Sequence, residues 1–328
     1  MKHIYLDQWV WIRLAQAASG APREPADLDA LNVCRFAAAH DLASFPLSPT
    51  HYMELTAGAS PRQRAIMTPL IVELSRLHTM RQPGPDILAW ELDLYLQRHF
   101  GRPIEPRAVQ IFGVGVGHAF NYPIRPQLVP KPGAEPAPLD PGVKDYIEKI
   151  ATEYMELALL TGPPAGATVP GYEPRAHLVF DERFAEEETQ MAARFRGLSN
   201  ERRARVIYAS AVVHDVLPVM EEALRRAMLS VVVLPRDREG WTQLLRELPT
   251  LWAMLELKRL QHQNPTRPWA PQDHPDLIAL TMALVYCDAV VFDKHWSDLV
   301  RRAGLDVANG TRLARMRDLP ELLVTLAA

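Results

Sequence analysis

Residues 273–296, DHPDLIALTMALVYCDAVVFDKHW, carry the pattern that decides the fold class. Residues 276–286 predict a strongly apolar helix, and residues 289–292 (AVVF) predict a buried strand that ends at Asp293. A further helix is predicted over 294–303. A buried strand followed at once by an acid and a helix is typical of the parallel sheet of an α/β protein.

The N-terminal residues show the same pattern. The stretch HIYLD predicts a strand that ends at Asp7, and LASFPLS predicts a second strand. Ser48 and Pro49 are a typical start for the helix that carries Glu54. The predicted order is β-α-β-α, with boundaries at 3–7, 8–18, 27–40 and 42–48, followed by the Glu54 helix. This order predicts a doubly wound parallel sheet.

The middle of the chain departs from this alternation. Helices are predicted over 62–81, 86–100, 143–160, 182–197 and 199–229. Within this region a short strand is expected near 231–234 (VVVL), and a weak strand is expected later, near 305–308. We therefore predict a discontinuous α/β domain over 1–60 and 236–328, with a mostly α-helical insertion over 61–235.

Composition excludes several classes of protein. The net charge of −3 excludes a uniformly basic nucleic-acid coat, so any contact with nucleic acid requires a local basic patch. Cys34 and Cys287 are the two cysteines, which provide neither a disulfide framework nor a cysteine zinc site. A reducing, cytoplasmic environment is expected. No apolar run approaches the roughly 18 residues of a membrane span.

Four acids occupy corresponding positions in the predicted sheet. Asp7 and Asp293 each end a strand, Asp276 opens the helix before the last clear strand, and Glu54 lies in the helix after the second strand. Ligands of open parallel sheets bind at the carboxyl ends of the strands. Two carboxylates about 4 Å apart repel by roughly 4 kcal/mol at an effective dielectric constant of 20. A convergent set therefore predicts bound Mg²⁺ or Mn²⁺, one ion or two.

Helix capping is the alternative explanation for most of these acids. Aspartate at a helix start is an ordinary N-cap, and Asp7 and Asp293 could each be only that. Asp273 with Asp276 could form a similar cap. Glu54 is too deep in its helix to cap it. Asp288 is left out of the set, because at about 3.3 Å per strand residue it lies about 16 Å from Asp293.

The chain resembles the PIN family of nucleases. The resemblance rests on IYLDQWVWIRLA (4–15), HYMEL (51–55) and residues 273–296, and it covers about the first 60 and the last 60 to 90 residues. It implies a PIN-like doubly wound parallel sheet for the discontinuous domain. It also implies a PIN-like endoribonuclease that binds Mg²⁺ or Mn²⁺ and hydrolyses phosphodiester bonds, usually in RNA. The implied catalytic and metal-binding residues are Asp7, Glu54, Asp276 and Asp293, with Asp273 as a further ligand.

The sequence also departs from the family pattern. Trp9 stands where the family has a small polar residue, and Val291 and Phe292 stand where it often has a hydroxyl shortly before the last acid. A degenerate, non-catalytic scaffold that binds RNA or a protein partner therefore stays open, as does a DNA or structure-specific nuclease. A homo-oligomer is a further possibility.

Basic residues suggest where a substrate would bind. Lys294 follows Asp293 directly, so it is positioned for a phosphate contact, although an ordinary surface lysine is an equal alternative. A second group lies in the predicted insertion, which we expect to form one wall of a substrate groove. Its members are Arg196, Arg202, Arg203 and Arg205.

Overall fold

The computed structural model describes residues 1–122, 140–162, 173, 175–264 and 267–327. They form an α/β fold in which helices greatly outnumber strands. The strands of the described residues are β1 (Lys2–Leu6), β2 (Ala43–Ser44), β3 (His78–Met80), β4 (Phe112–Val114), β5 (Ala289–Val291) and β6 (Arg312–Ala314).

Most predicted helices are present with small shifts at their ends, but the helix predicted over 62–81 ends at Ser75, and strand β3 lies within its predicted range. The α-helices of the described residues are α1 (Gln8–Ala18), α2 (Pro25–Ala39), α3 (Pro49–Ala57), α4 (Pro61–Ser75), α5 (Pro85–Phe100), α6 (Gly115–Ala119), α7 (Pro141–Thr161), α8 (Leu178–Arg194), α9 (Asn200–Ala211), α10 (Leu217–Ala227), α11 (Arg238–Arg246), α12 (Pro249–Gln261), α13 (Asp273–Tyr286), α14 (Lys294–Ala303), α15 (Leu305–Asn309) and α16 (Leu319–Ala327). No helix of the described residues is long and apolar enough to cross a membrane.

The chain forms two compact units that do not follow the predicted boundaries. The first unit contains Met1–Arg81, Phe112–Arg175 and Met316–Ala328, and the second contains Gln82–Ile111 and Ala176–Arg315. The predicted insertion over 61–235 is therefore divided between the units. The reason is packing: α4 packs against α1 and α2, whereas α5 packs against α10 and α12.

The first unit contains two small strand pairings. Strand β1 pairs in parallel with β2, so that Lys2 lies opposite Ala43 and His3 opposite Ser44. Strand β3 pairs antiparallel with β4. This second pairing was not predicted, because three-residue strands are too short to show an alternating pattern. Most of β1 is buried, which matches its continuous apolar sequence.

His51 ties α3 to the end of β1. The Ser48 N–H donates to His51 Nδ1 at 2.8 Å, so the Nε2–H of the neutral ring donates to the Leu6 carbonyl at 2.8 Å. The ring is buried, and this burial lowers the pKa of His51 to about 4. The contact fixes the start of α3, and with it the helix that carries Glu54.

The second unit contains the parallel pair β5 and β6. All three residues of β5 are buried, and α13 precedes this strand while α14 follows it. Ala289 lies opposite Arg312 and Val291 opposite Ala314. Helix α13 packs against α8 and α12, and α14 also packs against α12. The predicted α/β class with parallel strands is therefore confirmed, whereas the PIN-like topology stays a prediction.

Two predicted strands are wrong. Residues 231–234 contain the 3-10 helix Val231–Val233, and residues 305–308 lie in α15. Short apolar runs cannot be assigned to a strand or a helix by periodicity alone. The last strand instead follows Gly310, whose φ of 69° ends α15 in a left-handed conformation suited to glycine.

The predicted helix over 199–229 is also interrupted. A π-helical turn, Val212–Val216, separates α9 from α10. Such turns are rare and are found often at functional sites.

The burial of His51 predicts a pH-dependent stability. Its folded pKa of about 4 lies below the unfolded value of about 6.5, so the unfolded state binds more protons in this window. The stabilisation is present above pH 6.5 and decreases as the pH falls toward 4. Between pH 7 and pH 5 we expect the free energy of unfolding to fall by about 2 kcal/mol through this group.

Urea unfolding at the two pH values measures the effect in wild type and in His51→Gln. The variant should lose most of this pH dependence. His40→Gln, a change at an exposed histidine of α2's C-terminal end, is the matched control and should keep it. Equal pH dependence in wild type and His51→Gln would show that His51 is not held neutral.

Candidate functional site

Asp7 and Glu54 lie in the first unit, and the charges of both act on the buried phenol of Tyr5. Burial is the main cause that raises the pKa of Tyr5, and the charges of Asp7 and Glu54 raise it further. Both carboxylates are therefore within electrostatic reach of the Tyr5 hydroxyl. Asp7 after β1 and Glu54 in α3, which were selected from the sequence, therefore both act on the same buried side chain.

Asp7 also caps a helix, as the alternative explanation predicts. It is the N-cap of α1, and its Oδ1 accepts a hydrogen bond from the Gln8 N–H at 2.7 Å. Glu54 lies beyond the first turn of α3, so it is not a cap of that helix. Both side chains are partly exposed. Capping thus accounts for Asp7 in part and leaves the position of Glu54 unexplained.

Hydroxyl groups complete this part of the first unit. The Tyr5 hydroxyl lies 3.3 Å from Ser48 Oγ, and Ser48 Oγ lies 2.7 Å from Thr50 Oγ1. Sequence reasoning used Ser48 only as a helix cap and did not select Tyr5 or Thr50. The available signal was the sequence Ser-Pro-Thr-His, which places two hydroxyls at a helix start beside the predicted strand end.

In the second unit, Trp296 binds both remaining acids. Its backbone N–H donates to Asp293 Oδ1 at 3.0 Å, and its indole N–H donates to Asp276 Oδ2 at 2.9 Å. Asp293 is the N-cap of α14, and Asp276 lies in the first turn of α13. Because Trp296 is fully buried, it fixes the two carboxylates relative to each other. Sequence reasoning did not select this residue.

Asp273 has a different environment. It is fully buried, its Oδ1 lies 2.6 Å from Arg267 Nη2, and its Oδ2 accepts from the Ala270 N–H at 2.9 Å. Both oxygens are engaged within the protein, so Asp273 fits poorly as the fifth metal ligand. The Arg267 guanidinium also lies over the Trp296 ring, with Cζ 5.7 Å from its centroid. Asp273 therefore orients Arg267 against the residue that holds Asp276 and Asp293.

The basic residues selected by sequence have unequal environments. Lys294 is exposed at the start of α14, directly after Asp293, and Arg196 and Arg202 are exposed as well. Arg205 pairs with Glu201 at 3.0 Å on the surface of α9.

Arg203 instead donates to the His262 carbonyl at 3.1 Å, just after the end of α12. This contact makes it a poor candidate for the predicted substrate wall.

The donor chemistry of the two acid pairs fits a hard divalent cation. In the part of the chain that the structure describes, no group of three or more His, Cys, Asp or Glu side chains has the arrangement of a metal site. Mg²⁺, however, is often bound through one or two carboxylates, with water as its other ligands. The pair Asp7 and Glu54 and the pair Asp276 and Asp293 each offer that minimum.

Comparisons with known proteins add no assignment. The chain matches no protein-family model, no curated protein and no solved structure.

The contacts of Asp273 and Asp293 predict losses of stability of different size when each is changed to asparagine. Asp293→Asn should alter the metal-free free energy of unfolding by less than about 0.5 kcal/mol, because asparagine caps a helix about as well as aspartate. Asp273→Asn should cost about 2 kcal/mol, because it removes the charge that pairs with Arg267 inside the protein. Urea unfolding in EDTA measures both. A harmless Asp273→Asn would show that this aspartate has no structural role.

Proposed function

We propose that the chain is a metal-dependent nuclease, with a PIN-like ribonuclease as the specific form. Asp7, Glu54, Asp276 and Asp293 are its metal-binding and catalytic residues. The observation that carries the proposal is the arrangement of the acids in two pairs. In the second unit the buried Trp296 of α14 donates to both acids of one pair, and in the first unit the charges of the other pair act on the buried Tyr5 of β1.

Capping and metal binding are compatible roles for these aspartates. A carboxylate has two oxygens with about four lone-pair sites, so it can accept a helix N–H and still bind a cation. The caps also orient the carboxylates, since the hydrogen bonds from Gln8 and Trp296 restrict the rotation of Asp7 and Asp293. The structural contacts therefore support the proposal as well as the capping explanation.

The chemistry follows from the type of ligand. A bound Mg²⁺ or Mn²⁺ would lower the pKa of a coordinated water and neutralise negative charge on a phosphodiester. The carboxylates of each pair would hold a cation, and in the second unit Asp273 and Arg267 fix Trp296 from the side. The exposed residues Lys294, Arg196 and Arg202 would contact phosphates of the substrate. RNA is the substrate class that the PIN resemblance implies.

A non-catalytic scaffold that binds RNA or a protein is the second candidate. It is favoured by the caps at Asp7 and Asp293 and by the apolar Val291 and Phe292 before the last acid. It requires neither a metal ion nor cleavage. A nuclease specific for DNA or for a nucleic-acid structure would use the same acids. Only the substrate that is cleaved distinguishes it from a ribonuclease.

Cleavage of 5′-labelled single-stranded RNA, DNA and a duplex of each tests the proposal. Wild type should cleave RNA in Mn²⁺ or Mg²⁺, and EDTA should abolish the reaction. Asp7→Asn and Asp293→Asn should each reduce the rate by about 100-fold or more, because each removes a charge that binds the cation. Asp298→Asn changes an exposed acid of α14 and should leave the rate within about twofold.

Three results would oppose parts of the proposal. An Asp293→Asn variant that cleaves like wild type would show that the site is wrongly assigned. Cleavage of DNA without cleavage of RNA would reject the ribonuclease form. No metal-dependent cleavage of any substrate would favour the non-catalytic scaffold.

A further inference from the structure

The second unit contains a pocket of about 600 Å³ that none of the proposed catalytic residues line. Its walls come from α5, from α10 and the π-helical turn before it, and from α12. Most of the lining is aliphatic, including Ile87, Leu88, Val219, Leu251 and Met254. This volume and this lining are typical of sites for small molecules.

Glu91 provides an unusual polar group in this pocket wall. Only 2% of the residue is exposed, and its Oε1 accepts from the Thr250 N–H at 3.1 Å and from the Tyr286 hydroxyl at 2.9 Å. Its Oε2 is buried and has no hydrogen-bond partner among the described residues. Burial also raises the pKa of Glu91. A buried oxygen without a donor is costly, and a rotation of the carboxyl that brings Oε2 to a hydrogen-bond donor of a ligand would remove this cost.

A second acid lines the same pocket. Asp215 lies on the π-helical turn Val212–Val216, beside His214, and both residues line the pocket. Lys258 lies within electrostatic reach of Asp215, but its ammonium is 2.5 Å from Glu188 Oε1, which pairs with it. No lysine or arginine lines the pocket. The lining thus combines apolar walls with two acids and no permanent positive charge.

We propose that this pocket binds a small organic amine, whose ammonium group pairs with the carboxyls of Glu91 and Asp215 and whose apolar body packs against the aliphatic walls. The two acids disfavour a phosphate or a carboxylate, whereas an ammonium supplies the donor that Glu91 Oε2 lacks. This inference goes beyond the proposed nuclease function and does not depend on it.

Three small molecules that share a phenyl group and differ in their polar group test which group the pocket binds. Calorimetric titration of the full chain with 2-phenylethylamine, 2-phenylethanol and phenylacetate compares an ammonium, a hydroxyl and a carboxylate. The amine should bind about tenfold more tightly than the alcohol, as a charge-assisted hydrogen bond would give, and phenylacetate should bind most weakly. Equal affinities, or no binding of the amine at millimolar concentration, would overturn the proposal.

Variants locate the binding. Glu91→Gln and Asp215→Asn should each weaken amine binding by about tenfold and leave alcohol binding nearly unchanged. Asp215 is exposed, so its variant tests the pocket even if Glu91→Gln folds poorly. Glu221→Gln changes an exposed acid of α10 that does not line the pocket and should bind the amine like wild type. If both pocket variants bind the amine like wild type, the ligand binds elsewhere and the proposal fails.

Discussion

The two hydrogen bonds donated by Trp296 are the contacts on which the account of the second unit depends. One comes from the backbone at the start of α14 and the other from the indole ring, and they join Asp293 to Asp276 across two helices. Two carboxylates held near one another repel, so an arrangement of this kind needs donors or a cation to stabilise it. Trp296 supplies the donors, and the Asp273–Arg267 pair supports the indole from its face.

The first unit achieves a similar result with different groups. The neutral ring of His51 bonds to Ser48 and to the Leu6 carbonyl, which fixes the start of α3 against the end of β1. The same hydroxyl-rich neighbourhood contains Tyr5, and the charges of Asp7 and Glu54 act on its phenol. In each unit, two of the selected acids therefore lie near one buried aromatic side chain, Trp296 of α14 or Tyr5 of β1. The caps formed by Asp7 and Asp293 and the proposed metal binding would use the same carboxylates.

Local sequence signals predicted the helices well and the strands less well. Proline at the first position marks the starts of α3, α4, α5, α7 and α12. Apolar residues at helical spacing predict the rest of each of these helices. Strands β3, β4 and β6 have three residues each, which is too few to show alternation. The unit boundaries could not be predicted either, because they depend on which helices α4 and α5 pack against.

The candidate site shows the same difference between local sequence signals and contacts that depend on packing. Asp7, Glu54, Asp276 and Asp293 were chosen from their positions along the chain, because strand ends and helix starts are visible in sequence, and their metal-binding role stays a prediction. The bond between Trp296 and Asp276, 20 residues apart, and the engagement of Arg203 by the end of α12 were not visible. Both depend on packing between helices. Asp273 is an example. It is an acidic residue at a helix start, as expected of a metal ligand, whereas its hydrogen bonds to Arg267 and Ala270 are structural.

Direct measurement of Mn²⁺ binding tests the central claim that the paired carboxylates bind a cation and do more than cap helices. The account predicts that the wild-type protein, freed of metal and titrated by electron paramagnetic resonance, binds Mn²⁺. Asp7→Asn and Asp293→Asn should each weaken the affinity by at least about tenfold, while Asp298→Asn should bind like wild type. Absence of Mn²⁺ binding, or the same affinity in all four proteins, would contradict the account and leave these aspartates as helix caps.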